Sequence, residues 1–454
     1  MVRIQTPKAT PDPDGVHISS LISRLSHATK TVRSAQLYGE IGWINSIRGA
    51  IVRASLSNTK VGQICEIRDP DKMRLAEVVG FEGDNALLGP FGDIQGLKKK
   101  TLVVPISDSI LVPVGTALMG RVIGPLGDPI DGLAPLKNTT DVPVYGTKIY
   151  AMDRPLISEP LVTGVKAVDS AIMMGKGQRI GIFGPPGVGK SNLLSALARN
   201  GQADVIVIGL VGERAREVRE FLDRHLPKEE RDKIVCVVST SESPPMERLY
   251  AAHTANRVAE YFRDEGKSVL LLIDSLTRVA RALREIGLSA GEPPSRRGYP
   301  ASVYAALPAI IERAGKTEKG AITALYTVLT EGEIQEDPIA EEVRSLTDGH
   351  IILSRELAER NQYPAIDVLS SISRLMADIA SEKHIEMAQR MRRLLSRYAE
   401  VELLIQIGEY QPGTDAELDQ AVSCYDEFQL LLRQTPKEIS SLEETLDHMN
   451  AILE

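Results

Sequence analysis

Residues 184–191 read Gly-Pro-Pro-Gly-Val-Gly-Lys-Ser, the pattern G-x-x-x-x-G-K-[ST]. The run before it, RIGIF at 179–183, is apolar and suited to a strand, and SNLLSALAR at 191–199 has helical spacing. Strand, glycine-rich turn and helix in that order predict a phosphate-binding loop. Its glycines let backbone N–H groups curl around phosphate oxygens, and the helix N-terminus adds partial positive charge. Pro185 and Pro186 carry no N–H, so they shape the loop. Gly184 closes the strand, and the cradle runs from Gly187 through Val188, Gly189, Lys190 and Ser191 to Asn192. The Lys190 ammonium is expected to reach the β- and γ-phosphates, and the Ser191 hydroxyl to hold Mg²⁺.

Working outward, the runs ADVIVIGLVG (203–212), KIVCVVST (233–240), SVLLLIDS (268–275) and AITALYTVL (321–329) alternate with helical patterns. Continuous Val/Ile/Leu runs between helices predict a parallel sheet covered on both faces. This α/β core is expected over residues 106–378. Asp274 ends one such run, which places its carboxylate at the strand's C-terminal edge beside the phosphate loop, in the Mg²⁺ shell through water. Glu213 follows another. From spacing alone it either orients the water that attacks the γ-phosphate or belongs to the charged helix surface of RAREVREFLDR at 214–224. Arg278, one helical turn past Asp274, reaches either the phosphates or an ion pair that holds its helix.

The rest of the chain narrows the class. The 454 residues include 53 Lys+Arg and 61 Asp+Glu, a net charge of −8, with 43% hydrophobic, 25% charged and 4% aromatic residues. An acidic, aromatic-poor chain is a poor nucleic-acid coat or polybasic membrane binder. Cys65, Cys236 and Cys424 are far apart and form no Cys-x-x-Cys, which excludes a disulfide framework and a thiolate zinc cluster. No run approaches the roughly 20 apolar residues of a membrane span, and the N-terminus has no apolar signal region, so a cytoplasmic protein is expected. No Asn-Lys-x-Asp or Thr-Lys-x-Asp guanine-reading motif follows the phosphate loop, which favours ATP over GTP. Residues 1–35 read as a mobile tail and a short amphipathic helix, with Ile18, Leu21, Ile22 and Leu25 on one face. Short β-rich runs divided by Gly, Asn and Asp predict a small barrel over 36–105. Residues 379–454 read as helices, with Thr414 and Glu417 as a capping box and Pro436 opening the last helix.

Five further stretches carry a resemblance: GERAREVREF (212–221), LLLIDSLTRVARALREIGLSAGEPP (270–294), GYPASVYAALPAIIERAG (298–315), DGHIILSRELAERNQYPAIDVLSSISR (348–374) and LLIQIGEYQPGTD (403–415). The chain resembles, over about residues 36–454, the export ATPases of type III secretion systems. These are relatives of the flagellar export ATPase and of the catalytic subunit of rotary ATP synthases. The resemblance implies an N-terminal β-barrel, a RecA-like P-loop core and a C-terminal helical bundle, in six copies around a ring with ATP and Mg²⁺ between neighbours. It implies that Glu213 is the catalytic glutamate, with Arg214 beside it. By the same resemblance Arg374, in Ser-Ile-Ser-Arg, is an arginine finger for the adjacent subunit. By the same resemblance Tyr363 packs on adenine and Tyr410 closes the same pocket. Residues 287–304, rich in Gly, Pro and Ser with Arg296 and Arg297, read as a loop, expected to face the ring interior near the stalk or cargo.

The implied partners are chaperone–substrate complexes, regulator or stator proteins and a central stalk, with peripheral attachment to the inner-membrane export apparatus and no nucleic acid. The competing readings are a flagellar export ATPase, a ring-shaped nucleic-acid translocase, and an assembly platform without activity. The intact Lys190, Glu213, Asp274 and Arg374 set opposes the last.

Overall fold

Gly, Asn and Asp between short apolar runs in residues 41–110 give tight turns, and the strands they separate close on themselves. In the computed structural model, which describes residues 41–454 apart from 71, 331, 333 and 414, these strands are β1 (Gly42–Arg48), β2 (Ile51–Ser55), β3 (Ile64–Arg68), β4 (Met73–Glu82), β5 (Asn85–Pro90) and β6 (Leu102–Ser107). They form a closed barrel in the order β1-β2-β5-β4-β3-β6. Closure leaves no free edge to aggregate. The barrel has its own core, including Ile44, Val52, Ile67, Val78 and Leu88. Its last strand ends two residues beyond the expected boundary. The amphipathic run expected at 17–30 lies outside the described residues.

The core sheet contains β7 (Val122–Ile123), β8 (Arg179–Gly184), β9 (Val205–Glu213), β10 (Ile234–Thr240), β11 (Ser268–Asp274), β12 (Ala321–Leu329), β13 (Gly349–Leu353) and β14 (Ile366–Ser373). Their order is β14-β13-β8-β12-β11-β9-β10-β7. All neighbours run parallel except β13 and β14. The predicted runs become buried strands because both faces are covered. Val205 and Val207 join one hydrophobic cluster while Ile206 and Ile208 join the other. Leu271 and Ile273 likewise oppose Leu270 and Leu272. The antiparallel edge formed by β14 was not anticipated, because IDVLSSIS has no long apolar run.

Helices α1 (Lys190–Asn200), α2 (Ala215–Glu220), α3 (Pro245–Asp264), α4 (Leu276–Ala290), α5 (Ala301–Ile311) and α6 (Pro338–Leu346) belong to the core, and α7 (Glu382–Gln406), α8 (Ala416–Leu432) and α9 (Leu442–Leu453) to the C-terminal end. The last three bury Met387, Met391, Phe428 and Met449 in the cluster that also holds Ile180 and Leu194. They are therefore fastened to the phosphate-loop face of the sheet.

Three local expectations are corrected. Thr414 lies outside the described residues, and α8 is capped by Asp415, whose carboxylate accepts from the N–H groups of Glu417 and Leu418. Pro436 does not open the last helix. Ser441 does, in a capping box with Glu444. The loop expected at 287–304 is shorter, because 287–290 complete α4 and 301–304 begin α5.

The barrel meets the core through a buried hydrogen bond: the Tyr250 hydroxyl on α3 donates to Glu77 Oε2 on β4 at 2.9 Å. Burial pushes the Glu77 carboxyl up to about 7, against the opposing effect of that bond. The folded chain thus binds a proton at Glu77 more tightly than the unfolded chain. This group's contribution to stability is full below the ordinary glutamate range and declines as pH rises towards about 7. Glu77→Gln keeps an acceptor for Tyr250 and removes the buried charge. It is expected to stabilise the protein at pH 8 by about 1–3 kcal/mol and to have little effect at pH 4.5. Equal shifts in melting temperature at the two pH values would refute this.

Candidate active site

The phosphate loop folds where the sequence puts it. Strand β8 ends at Gly184, and residues 185–189 turn into α1 at Lys190. Gly187 has φ 88° and Gly189 φ 85°, left-handed values at which a side chain is strained. A Cβ on Gly189 would also come within 3.0 Å of the Tyr363 ring. Val188 is buried in the sheet's hydrophobic cluster, so it offers only its backbone. Beside the loop opens a cleft of about 610 Å³, lined by Gly187, Gly189, Lys190, Ser191 and Asn192 together with Glu213 and Asp274 from the ends of neighbouring strands and Arg278 from α4.

Parallel packing explains the convergence. Strand β11 pairs with β9, and Asp274 stands opposite Leu210 in register, so Asp274 and Glu213 come to the same C-terminal edge. Lys190 Nζ lies 2.8 Å from Asp274 Oδ1. The Thr327 hydroxyl, from β12, donates to the same oxygen at 2.6 Å. Arg278 Nη2 donates to Glu213 Oε2 at 2.9 Å, and Nη1 donates to the Gly212 carbonyl. Burial, then the charge of Asp274, pushes the Glu213 carboxyl up to about 7 against the opposing charges of Arg278 and Lys190. Against its burial, the Glu217 carboxyl is held below the usual carboxylate range by Glu213 and by Arg214. Two ion pairs, Lys190 with Asp274 and Arg278 with Glu213, thus span the cleft.

A metal would meet suitable donors. Asp274 Oδ1 is taken by Lys190 and Thr327, while Oδ2 has no hydrogen-bond partner among the described residues. The Ser191 hydroxyl lines the same cleft. One carboxylate oxygen, one hydroxyl and phosphate oxygens suit Mg²⁺, which keeps several waters.

The remaining site residues divide. Tyr363 lies against Gly189 in a small apolar pocket with Val165, Asn192, Pro364 and Pro436. Tyr410 is not among the residues that line that pocket. Its hydroxyl donates to Asp419. Arg214 sits at the cleft rim, 71% exposed at its side chain and 3.1 Å from Glu217.

Arg374 is exposed just past β14, and its N–H donates to the Asp348 carbonyl at 3.0 Å. Asp348 in turn accepts from the N–H of Arg179, the first residue of β8. Arg374 is thus at the start of the strand that ends in the phosphate loop, roughly 15–20 Å away at strand rise. The chain does not bring Arg374 to its own cleft.

Sequence reasoning missed Thr327 and Glu217. The signal for Thr327 was a hydroxyl near the end of an apolar run beside the Asp274 strand. Glu217 had no signal beyond its helical spacing from Glu213. The two readings of Arg278 resolve into an ion pair, but with Glu213 itself.

This architecture and cleft define a nucleotide hydrolase built like the ring ATPases. Residues 164–373 match the ATP synthase alpha/beta family, nucleotide-binding domain, and 44–106 match that family's beta-barrel domain. Residues 380–451 match the T3SS EscN ATPase C-terminal domain. The chain is 47% identical to the type 3 secretion system ATPase of Xanthomonas euvesicatoria, over 95% of this chain and 98% of that one. It is 43% identical to the flagellum-specific ATP synthase of Bacillus subtilis, over 91% and 95%. The solved structure of the assembled ATPase EscN from the enteropathogenic E. coli type III secretion system superposes with a TM-score of 0.87 at 43% identity, covering 91% of this chain and all of that one. EscN has also been solved in complex with its central stalk EscO. The chain belongs to the type 3 secretion system ATPases.

Proposed function

We propose that this chain hydrolyses ATP at sites shared between identical subunits of a ring, six in number, and that the ring energises protein export. The observation that carries this reading is the separation of Arg374 from its own cleft. An arginine unable to reach the phosphates in cis, in a chain otherwise complete for hydrolysis, supports a site finished by a neighbour. In this reading Lys190 binds the β- and γ-phosphates after leaving Asp274. Asp274 and Ser191 hold Mg²⁺, which would neutralise phosphate charge when bound. Tyr363 packs on adenine beside Gly189. The γ-phosphate competes for Arg278 and so frees Glu213 to accept a proton from the attacking water. Arg374 of the next subunit stabilises charge on the transferring phosphoryl group. Arg214, at the rim, carries no chemical step in this scheme.

The C-terminal match at 380–451 favours the type 3 secretion machine over the flagellar one. By likeness to EscN with EscO, a central stalk is the expected partner. Chaperone–substrate complexes, a regulator and peripheral docking at the inner-membrane apparatus belong to the same proposal. Among the described residues no helix is long and apolar enough to cross a membrane.

The test is specific ATPase activity against protein concentration, with light scattering on the same samples. A rise that follows ring formation is expected. Full activity in samples that scatter as monomers would overturn the shared site.

A further inference from the structure

A second arginine shares the face that carries Arg374. Arg344 stands in the last turn of α6, half-buried, and its guanidinium has no carboxylate or carbonyl partner among the described residues. It lines a groove of about 440 Å³ with Thr330, His350 and Ser370, and the groove runs up to Gly184 and Pro185 at the start of the phosphate loop. No acidic side chain lines that groove among the described residues. His350 lines this groove beside Arg344. It is a neighbour of Gly181 in register, and its Nε2 meets the Ser370 carbonyl at 3.1 Å. After burial, Arg344 and then Arg374 depress its protonation. His350 pairs in register with Ile372, two residues before Arg374, so α6, β13 and the end of β14 bring Arg344 and Arg374 to the surroundings of one histidine.

The nucleotide cleft, which meets this groove at Pro185, has the complementary need. Its lining includes Glu213, Glu217, Glu220 and Asp274 against Lys190, Arg214 and Arg278. A triphosphate adds several negative charges, of which one divalent cation and one arginine finger offset only part. We infer that Arg344 projects with Arg374 into the neighbouring subunit's cleft and contacts the nucleotide phosphates there, so that each site receives two arginines in trans. This rests on the shared-site reading above. Arg344 also suits the negative end of α6, and a role confined to its own subunit is the competing outcome.

Mixed rings separate the two. Lys190→Ala disables a subunit's own phosphate loop and leaves its cationic face intact, whereas Arg344→Ala does the reverse. The two variants, co-expressed with different tags and purified through both, are compared with each variant alone. Arg344→Ala rings are expected to lose about tenfold in kcat/KM with assembly unchanged by light scattering, and Arg344→Lys to recover most of the loss. Rings mixed with Lys190→Ala should exceed the mean of the two pure variants several-fold, because some sites then combine an intact loop with an intact face.

A Lys190→Ala and Arg374→Ala mixture is the reference. If it recovers and the Arg344 mixture does not, Arg344 serves only its own subunit and the inference fails. If neither recovers, the shared-site reading falls and takes this one with it. A lone Arg344→Ala ring with unaltered kinetics would also overturn the inference.

Discussion

Glu213→Gln is expected to lower kcat by about 10²–10⁴-fold while ATP binding changes little. The amide is nearly isosteric and still accepts from Arg278, so the cleft should keep its shape. It cannot take a proton from water. The wild-type carboxyl is pushed up to about 7, so a useful base exists only where that proton has left. In the nucleotide-free enzyme, kcat/KM should therefore rise as pH passes upward through about 7, and the residual activity of the Gln variant should lack that limb. Single-turnover hydrolysis at several pH values, beside nucleotide-binding titrations, measures both. A Gln variant within a few-fold of wild type would remove Glu213 from the chemistry.

Arg374→Ala is expected to cost about 10³–10⁵-fold in kcat, the range of an arginine finger. The side chain is exposed, and within its own subunit it supports no ion pair among the described residues. Its removal should leave folding, the melting temperature and ATP binding by the isolated chain nearly unchanged. A large loss of turnover with none of stability is what a residue used only across an interface produces. Arg374→Lys should restore little, because a point charge does not reproduce the planar fork. Parallel loss of stability and activity would instead mark Arg374 as a structural residue of the β13–β14 edge.

Strong local signals in the sequence already located most of this site. The loop at 184–191 needs glycine at left-handed positions and a helix directly after it, and both requirements are written in neighbouring residues. The strands around Ile182, Ile208, Leu272 and Leu325 were legible because burial on both faces demands unbroken apolar runs. Asp274 and Glu213 stood out as carboxylates that end such runs. Strand β14 was less legible, since serines break its apolar run: Ser370 is exposed at the sheet edge, while Ser371 and Ser373 are buried and accept from the Ile352 N–H and the Gln178 amide. The cap of α8 moved from Thr414 to Asp415 because capping depends on backbone angles that a motif does not record.

What the sequence determined by itself was local chemistry: a phosphate loop, its lysine and hydroxyl, carboxylates at strand ends, and a barrel set off by its turns. Only the tertiary structure decided which of those groups meet. The parallel register sets Thr327 and Lys190 on one oxygen of Asp274 and turns Arg278 towards Glu213. The strand order removes Arg374 from its own cleft and brings it, with Arg344, to the surroundings of His350. These relations depend on contacts between residues tens to hundreds of positions apart. Spacing along a chain does not encode such contacts; the packing of a two-faced sheet fixes them, since one strand shifted by one residue would turn its buried face to the other side.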